Sequence, residues 1–311
     1  MRINLLWAVV TLVLYTSCGS DEQETRHKPL VVCTTGMIAD AVKQIGGDSI
    51  EVTSLMGPGV DPHLYKATQG DLKKLREADV IFYNGLRLEG KMGEVLEKLS
   101  AIKTVVPVAA TIDSSRLMAD PVYGEAYDPH IWFDVSLWSQ TLETVRTTLS
   151  DADPESQEYF SSNAGNYAKE LENLHEWVNE HISRIPRQQR ILITAHDAFN
   201  YFGKAYNLEV RGLQGISTLS EFGLKDRVDL VNFIVENKIP AVFVETSVSQ
   251  KNIQSIVEAC RQKGHEVVIG GNLYSDAMGA AGTPEGTYVG MVEYNVNTIV
   301  SSLAPEPVTS R

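Results

Sequence analysis

The stretch "DPESQEYFSSNAGNYAKELENLHEWVNEHISRIP", residues 153–186, decides the fold. Asp153-Pro154 supplies a cap and first-turn pair. Apolar residues then fall at Phe160, Ala164, Tyr167, Leu171, Leu174, Val178 and Ile182, in steps of three and four that last until Pro186. The spacing predicts one helix of roughly 30 residues, about 45 Å long at ~1.5 Å per residue, which is enough to cross a whole domain. His175 and His181 ride on it as surface or flank positions.

On both sides of this rod, short β-branched runs alternate with helical patterns. Before it come "LVVCTT" (30–35), a helix from about Met37 to Ile45, and the strand "SIEVTSLM" (49–56). Thr68 then caps a helix, with Asp71 three residues on. "DVIFYNG" (79–85) and "KTVVPV" (103–108) are the next strands. After Pro186 the order is "RILITAH" (190–196), "LEVRGL" (208–213), a helix from about Leu224 to Asn237, "PAVFVE" (240–245), a helix ending near Gly264, and "HEVVIGG" (265–271). This is the βαβ rhythm of parallel sheets covered on both faces. The expected fold is therefore α/β: two (β/α) lobes with mainly parallel sheets, joined by one long backbone helix. The lobes span 30–152 and 187–303, with the linking helix at 153–186 and a tail at 304–311. A single rod makes a stiff hinge.

The first eighteen residues differ from all this. Arg2 precedes the apolar run Leu5–Leu14, which is too short to span a bilayer comfortably, and "YTSCGS" follows. That layout predicts a secretion signal. Cys18, directly after Thr16-Ser17, sits where a bacterial lipoprotein cysteine is lipidated. Residues 19–29 then form a polar tether in which His27 is a solvated bystander. Loss of the signal removes only Arg2, moving the net charge from −13 to −14. Such an acidic surface argues against nucleic acid as a partner. Of 311 residues, 43% are hydrophobic and 22% charged, as in an ordinary soluble globular protein. Cys33 and Cys260 lie in opposite halves and read as small core hydrophobes.

Three histidines share a context. His63 lies in the Gly/Pro-rich loop "GPGVDPHLYKAT", His130 in "YDPHIWFD", and His196 at the carboxyl end of an apolar strand in "LITAHDAFNYFG". Carboxyl ends of strands are where open α/β sheets place ligands. Asp276 in "GNLYSDAMG" is a fourth candidate. The separations are 67, 66 and 80 residues, so each would come from a different loop, two from each half. Spacing alone leaves two readings open: four ligands meeting on one ion in the cleft, or hydrogen-bonded structural residues. If they are ligands, imidazole and carboxylate without thiolate suit Zn²⁺ or Mn²⁺ and argue against Cu(I) and iron–sulfur clusters.

"GPGVDPHLYKAT", "DPHIWFDVSLW", "TAHDAFNYFG", "VFVETSVS" and "LYSDAMG" together resemble, in order, the signatures of the TroA/ZnuA-like family. The resemblance runs from about residue 30 to 302. It implies the metal-binding component of a bacterial zinc or manganese ABC importer, a bilobal fold, and an inter-lobe site at His63, His130, His196 and Asp276. It implies a non-enzymatic protein that captures Mn²⁺ or Zn²⁺ outside the cytoplasm, as a monomer held to the membrane by the lipid on Cys18. The ion would pass to a permease driven by a separate ATPase. The stretch before His130, "SSRLMADPVYGEAYDPH", lacks the histidine-rich loop of zinc specialists and tilts the expectation to manganese with zinc also bound. A metal-dependent hydrolase using Asp276 or Glu245 as base, or a surface adhesin of the same fold, are the alternatives. Of Asp61, Asp128, Asp134, Asp197 and Glu245, one or two are expected to accept from a ligating imidazole, with the rest capping turns. Trp132 and Trp138 are expected in the core.

Overall fold

A computed structural model describes residues 28–120, 124, 126–219 and 223–304. The expected signal at 1–18 with Cys18, most of the tether and nearly all of the tail lie outside the described residues. The N-terminal half holds strand β1 (Leu30–Cys33), helix α1 (Gly36–Gly46), β2 (Glu51–Ser54), α2 (Gln69–Glu77), β3 (Val80–Tyr83), α3 (Gly93–Ser100), β4 (Thr104–Pro107) and α4 (Val135–Ala152). Helix α5 (Gln157–Ser183) follows a single 3₁₀ turn at Pro154–Ser156. Beyond it lie β5 (Ile191–His196), α6 (Asn200–Tyr206), β6 (Glu209–Gln214), α7 (Leu224–Glu236), β7 (Ala241–Glu245), α8 (Lys251–Gln262), β8 (Val268–Leu273) and α9 (Tyr288–Leu303).

The first four strands form one parallel sheet in the order β2-β1-β3-β4. Side chains alternate across a strand, and here the alternation feeds two cores. Val31, Cys33, Val80 and Phe82 face α1, α4 and α5, whereas Val32 and Ile81 pack with Leu75 and Leu96 of α2 and α3. The second half has parallel pairs β5–β6 and β7–β8, with β5 and β7 side by side. Leu192, Ala241 and Phe243 join the large core, while Ile193, Val242 and Val244 pack with Ile234, Ile253 and Ile256 of α7 and α8.

Helix α5 carries the large core from one half to the other. Its buried residues are Phe160, Ala164, Tyr167, Leu171, Leu174, Val178 and Ile182, the full predicted stripe. At 27 residues it measures about 40 Å. Truncating a fully buried leucine such as Leu171 to alanine costs about 2–5 kcal/mol, because the rigid walls cannot collapse into the space. Thr68 caps α2 as expected, in a reciprocal box with Asp71. Helices α3, α4, α6 and α9 go beyond the elements expected from the sequence. Strand β8 starts three residues later than "HEVVIGG" suggests and continues to Leu273. Cys33 and Cys260 are free and buried. Among the described residues, no helix is long and apolar enough to cross a membrane.

Candidate metal centre

Two of the four candidate residues sit at or just past the carboxyl end of a strand, His196 on β5 and Asp276 after β8, while His63 and His130 lie in longer loops of the N-terminal half. His196 is the last residue of β5, and Glu245, the last residue of β7, stands beside it. His63 follows β2 through a turn in which Asp61 Oδ1 accepts the His63 amide at 2.8 Å. His130 is set by a tighter device of the same kind: Asp128 Oδ1 accepts its amide at 3.0 Å and lies 2.7 Å from its Nδ1. Asp276 follows β8.

These segments from both halves bring four side chains to one point. One potential ligand atom from each of His63, His130, His196 and Asp276 lies within 4.8 Å of all the others. Ring centroids are 5.3 Å apart for His63–His130 and for His130–His196, and 6.1 Å for His63–His196. His63 Nε2 and His130 Nε2 face each other at 3.3 Å. The Asp276 carboxylate spans the other two rings, with Oδ1 3.4 Å from His130 Nε2 and Oδ2 3.4 Å from His196 Nε2. All four residues are buried, at 3% exposure or less.

Nδ1 of His196, like that of His130, faces a carboxylate. His196 Nδ1 is 2.5 Å from Glu245 Oε2, an ion-pair distance, although the two are not aligned as a hydrogen bond. Glu245 Oε1 is also held, accepting the His196 amide at 2.9 Å. With Nδ1 occupied in this way, Nε2 of each ring is left for the centre. Within the centre, His196 Nε2 and Asp276 Oδ1 have no hydrogen-bond partner among the described residues. Buried polar atoms are rarely left so, and a cation seated between them would satisfy both.

The electrostatics of the four groups differ with their surroundings. Burial pushes His63 down to about 3, so it is a neutral donor near pH 7. Burial also disfavours charge on His130, yet Asp128 and then Asp276 outweigh it and push its pKa up to about 9. For His196, Glu245 and Asp276 overcome burial and hold the imidazole well above its ordinary value. Burial alone would raise Asp276, but His196, His130 and His63 hold it well below the usual carboxylate range. The carboxylates thus favour positive charge on the His130 and His196 side of the centre, while burial keeps His63 neutral.

Residues 31–302 match the family described as "ZnuA: Zinc-uptake complex component A periplasmic". The chain belongs to this family. The manganese-binding lipoprotein MntA of Bacillus subtilis (strain 168) is 48% identical over 307 residues, covering 97% of this chain and 100% of the relative. The zinc-binding protein TroA of Treponema pallidum (strain Nichols) is 48% identical over 286 residues, 92% of each chain. The solved structure of periplasmic zinc-binding TroA from Treponema pallidum aligns with a TM-score of 0.87 at 49% identity, covering 90% of this chain and 100% of that one.

Around the centre of this ZnuA-family member, the five flanking acids divide as their contacts dictate. Asp128 and Glu245 back the rings of His130 and His196. Asp61 holds the turn before His63, Asp197 Oδ1 accepts the amide of Gly212 in β6 at 2.6 Å, and Asp134 caps α4 through the amides of Ser136 and Leu137. His175 and His181, both on α5, have partners of their own: Tyr206 Oη of α6 at 3.0 Å and the Trp177 carbonyl of α5 at 2.8 Å. His27 lies outside the described residues. Trp138 packs in the core against Tyr288. Trp132 is buried too, but it does more than fill space, since its Nε1–H donates to the Ser275 carbonyl. Sequence reading passes over Ser275, Ser247, Asn84 and Glu89. Their roles depend on partners 28 to 143 residues away or on backbone turns with no local signature.

Proposed function

We propose that this chain is an extracytoplasmic solute-binding protein that holds a divalent transition metal at His63, His130, His196 and Asp276 and delivers it to an ABC permease powered by a separate ATPase. The observation that carries this reading is the convergence of four buried residues from four separate chain segments, where His196 Nε2 and Asp276 Oδ1 lack a hydrogen-bond partner among the described residues. The ion is cargo. Three imidazoles and a carboxylate suit Mn²⁺ or Zn²⁺. The absence of histidine from residues 114–129 and the hard oxygen of Asp276 favour manganese with zinc also bound. A hydrolytic centre keeps an open position for water, whereas the donors here are protein groups with negligible exposure.

The division into a signal at 1–18, a tether at 19–29, lobes at 30–152 and 187–303, a linking helix at 153–186 and a tail at 304–311 belongs to the same proposal. So do lipidation at Cys18 and a monomeric state. The deciding experiment is elemental analysis of protein purified without chelator or affinity-tag metal, followed by Mn²⁺/Zn²⁺ competition. Stoichiometric Mn or Zn is expected. Metal-free protein that takes up neither ion would overturn the reading.

A further inference from the structure

Beyond the centre, one buried carboxylate has no part in the chemistry described so far. Glu89 is 3% exposed, in the segment Asn84–Gly90 that follows β3. Its Oε1 accepts the Thr34 hydroxyl and the Asn84 amide, each at 2.7 Å, and the amides of Gly85 and of Glu89 itself also turn to this carboxylate. The chain wraps around the side chain to do so. Gly85, Leu86 and Arg87 are left-handed in succession, at φ of 82°, 53° and 67°. Glycine adopts that conformation freely, while leucine and arginine need a compensating hold. Four donors on one buried carboxyl group supply such a hold.

Three contacts connect this wrapped segment to the N-terminal pair of donor residues. Asn84 Nδ2 donates to the carbonyl of Pro129, the residue before His130, at 3.0 Å. Gly90 packs beside the His63 carbonyl, at a spacing where an added Cβ would make ordinary contact with it at 3.8 Å. Thr34, besides bonding Glu89, accepts the Met56 amide at 3.0 Å, at the start of the loop that ends in His63. We propose that Glu89 is the positioning residue of the N-terminal half-site: by fixing segment 84–90 it sets where His63 and His130 stand, and with them the affinity for the ion. The inference rests on the metal site proposed above.

The test compares wild-type protein with Glu89→Gln, Asn84→Ala and His130→Ala, each stripped of metal. Mn²⁺ and Zn²⁺ are titrated calorimetrically at a temperature where every variant is folded, and Co²⁺ visible absorption reports the ligand geometry. Partners outside the ligands themselves are worth about 10–100-fold in metal affinity. Glu89→Gln is expected to raise Kd about tenfold and to shift the Co²⁺ bands. Asn84→Ala, which keeps Glu89 but cuts the tether to Pro129, is expected to weaken binding less and to shift the bands in the same direction. A lowered melting temperature alone would follow from any core change, so Kd and the Co²⁺ spectrum are the quantities that separate positioning from packing. If Glu89→Gln does not fold, Asn84→Ala decides. Wild-type Kd and spectrum in whichever variants fold would overturn the proposal, provided His130→Ala abolishes binding. If His130→Ala binds normally, the site itself is wrong and the inference falls with it.

Discussion

Trp132 in the N-terminal half donates its indole Nε1–H to the carbonyl of Ser275 in the C-terminal half at 3.0 Å. Ser275 adjoins Asp276, and the indole edge stands 5.2 Å, centroid to centroid, from His130. The ring therefore ties a donor of one half to a donor of the other. Trp132→Phe keeps an aromatic ring and strands the Ser275 carbonyl. Leaving a buried acceptor unpaired costs about 1–3 kcal/mol. Urea unfolding of metal-free protein should show that loss, and calorimetry should show several-fold weaker metal binding. Unchanged affinity at reduced stability would mean that the bond holds the fold without setting the site.

Alanine at His63, His130, His196 or Asp276 should each lower Mn²⁺ and Zn²⁺ affinity by on the order of 100-fold or more, since each removes one of the four proposed ligands. His175→Ala and His181→Ala should leave affinity within about twofold, because their contacts are internal to α5 and α6. Calorimetric titration checks both groups together, and equal effects in the two would refute the assignment.

Gly212 lies across from Thr194 in the β5–β6 pair. A Cβ there would fall 2.4 Å from the Asp197 amide nitrogen and 2.5 Å from the His196 carbonyl carbon. Backbone atoms cannot yield as a flexible side chain does. Gly212→Ala should cost about 1–3 kcal/mol of stability and weaken metal binding as well, since the displaced backbone belongs to His196. Thermal melts and metal titration measure the two losses. Full stability in the alanine variant would contradict the close approach.

Asp40 of α1 joins three elements: its Oδ2 accepts the Tyr167 hydroxyl of α5 at 3.1 Å and the Tyr288 amide of α9 at 3.2 Å. Burial raises its carboxyl above the ordinary 3.8, the Tyr288 amide, Tyr167 and Lys43 oppose the rise, and Glu170 adds to it. The folded protein thus holds this proton more tightly than the unfolded chain. Asp40's share of stability is present at low pH and is lost as pH climbs from 3.8 through the raised folded value. Asp40→Asn keeps an acceptor and removes the charge. Its melting temperature relative to wild type should rise between pH 4 and pH 7, and a difference independent of pH would rule the effect out.

How much of this was written legibly in the chain differs from element to element. The stripe on α5 is fully readable because a helix crossing between two halves buries one face along its whole length. The four donors are readable as types in context, since strand ends and Pro-bracketed loops are local features. Helix α4 is harder to see. Its buried face includes Thr141, Thr144 and Ser150, which blur the apolar period, and it runs into the signal at Asp153-Pro154. Helix α9 carries a plain period at Met291, Val292, Val296, Ile299 and Leu303, so that signal is present in the sequence. The Asn84–Pro129 and Trp132–Ser275 bonds leave no trace in the sequence, because they exist only once distant strand ends meet.

At the proposed site, an ion enclosed by His63, His130, His196 and Asp276, none more than 3% exposed, would have to give up its water to be held. Mg²⁺ gives up its water reluctantly and Ca²⁺ seeks six to eight oxygens. Three nitrogens and one carboxylate compensate neither for that loss. If the proposed site holds, the most abundant divalent cations would be turned away at the dehydration step, and discrimination would be needed only among the scarcer ions that accept nitrogen in place of water.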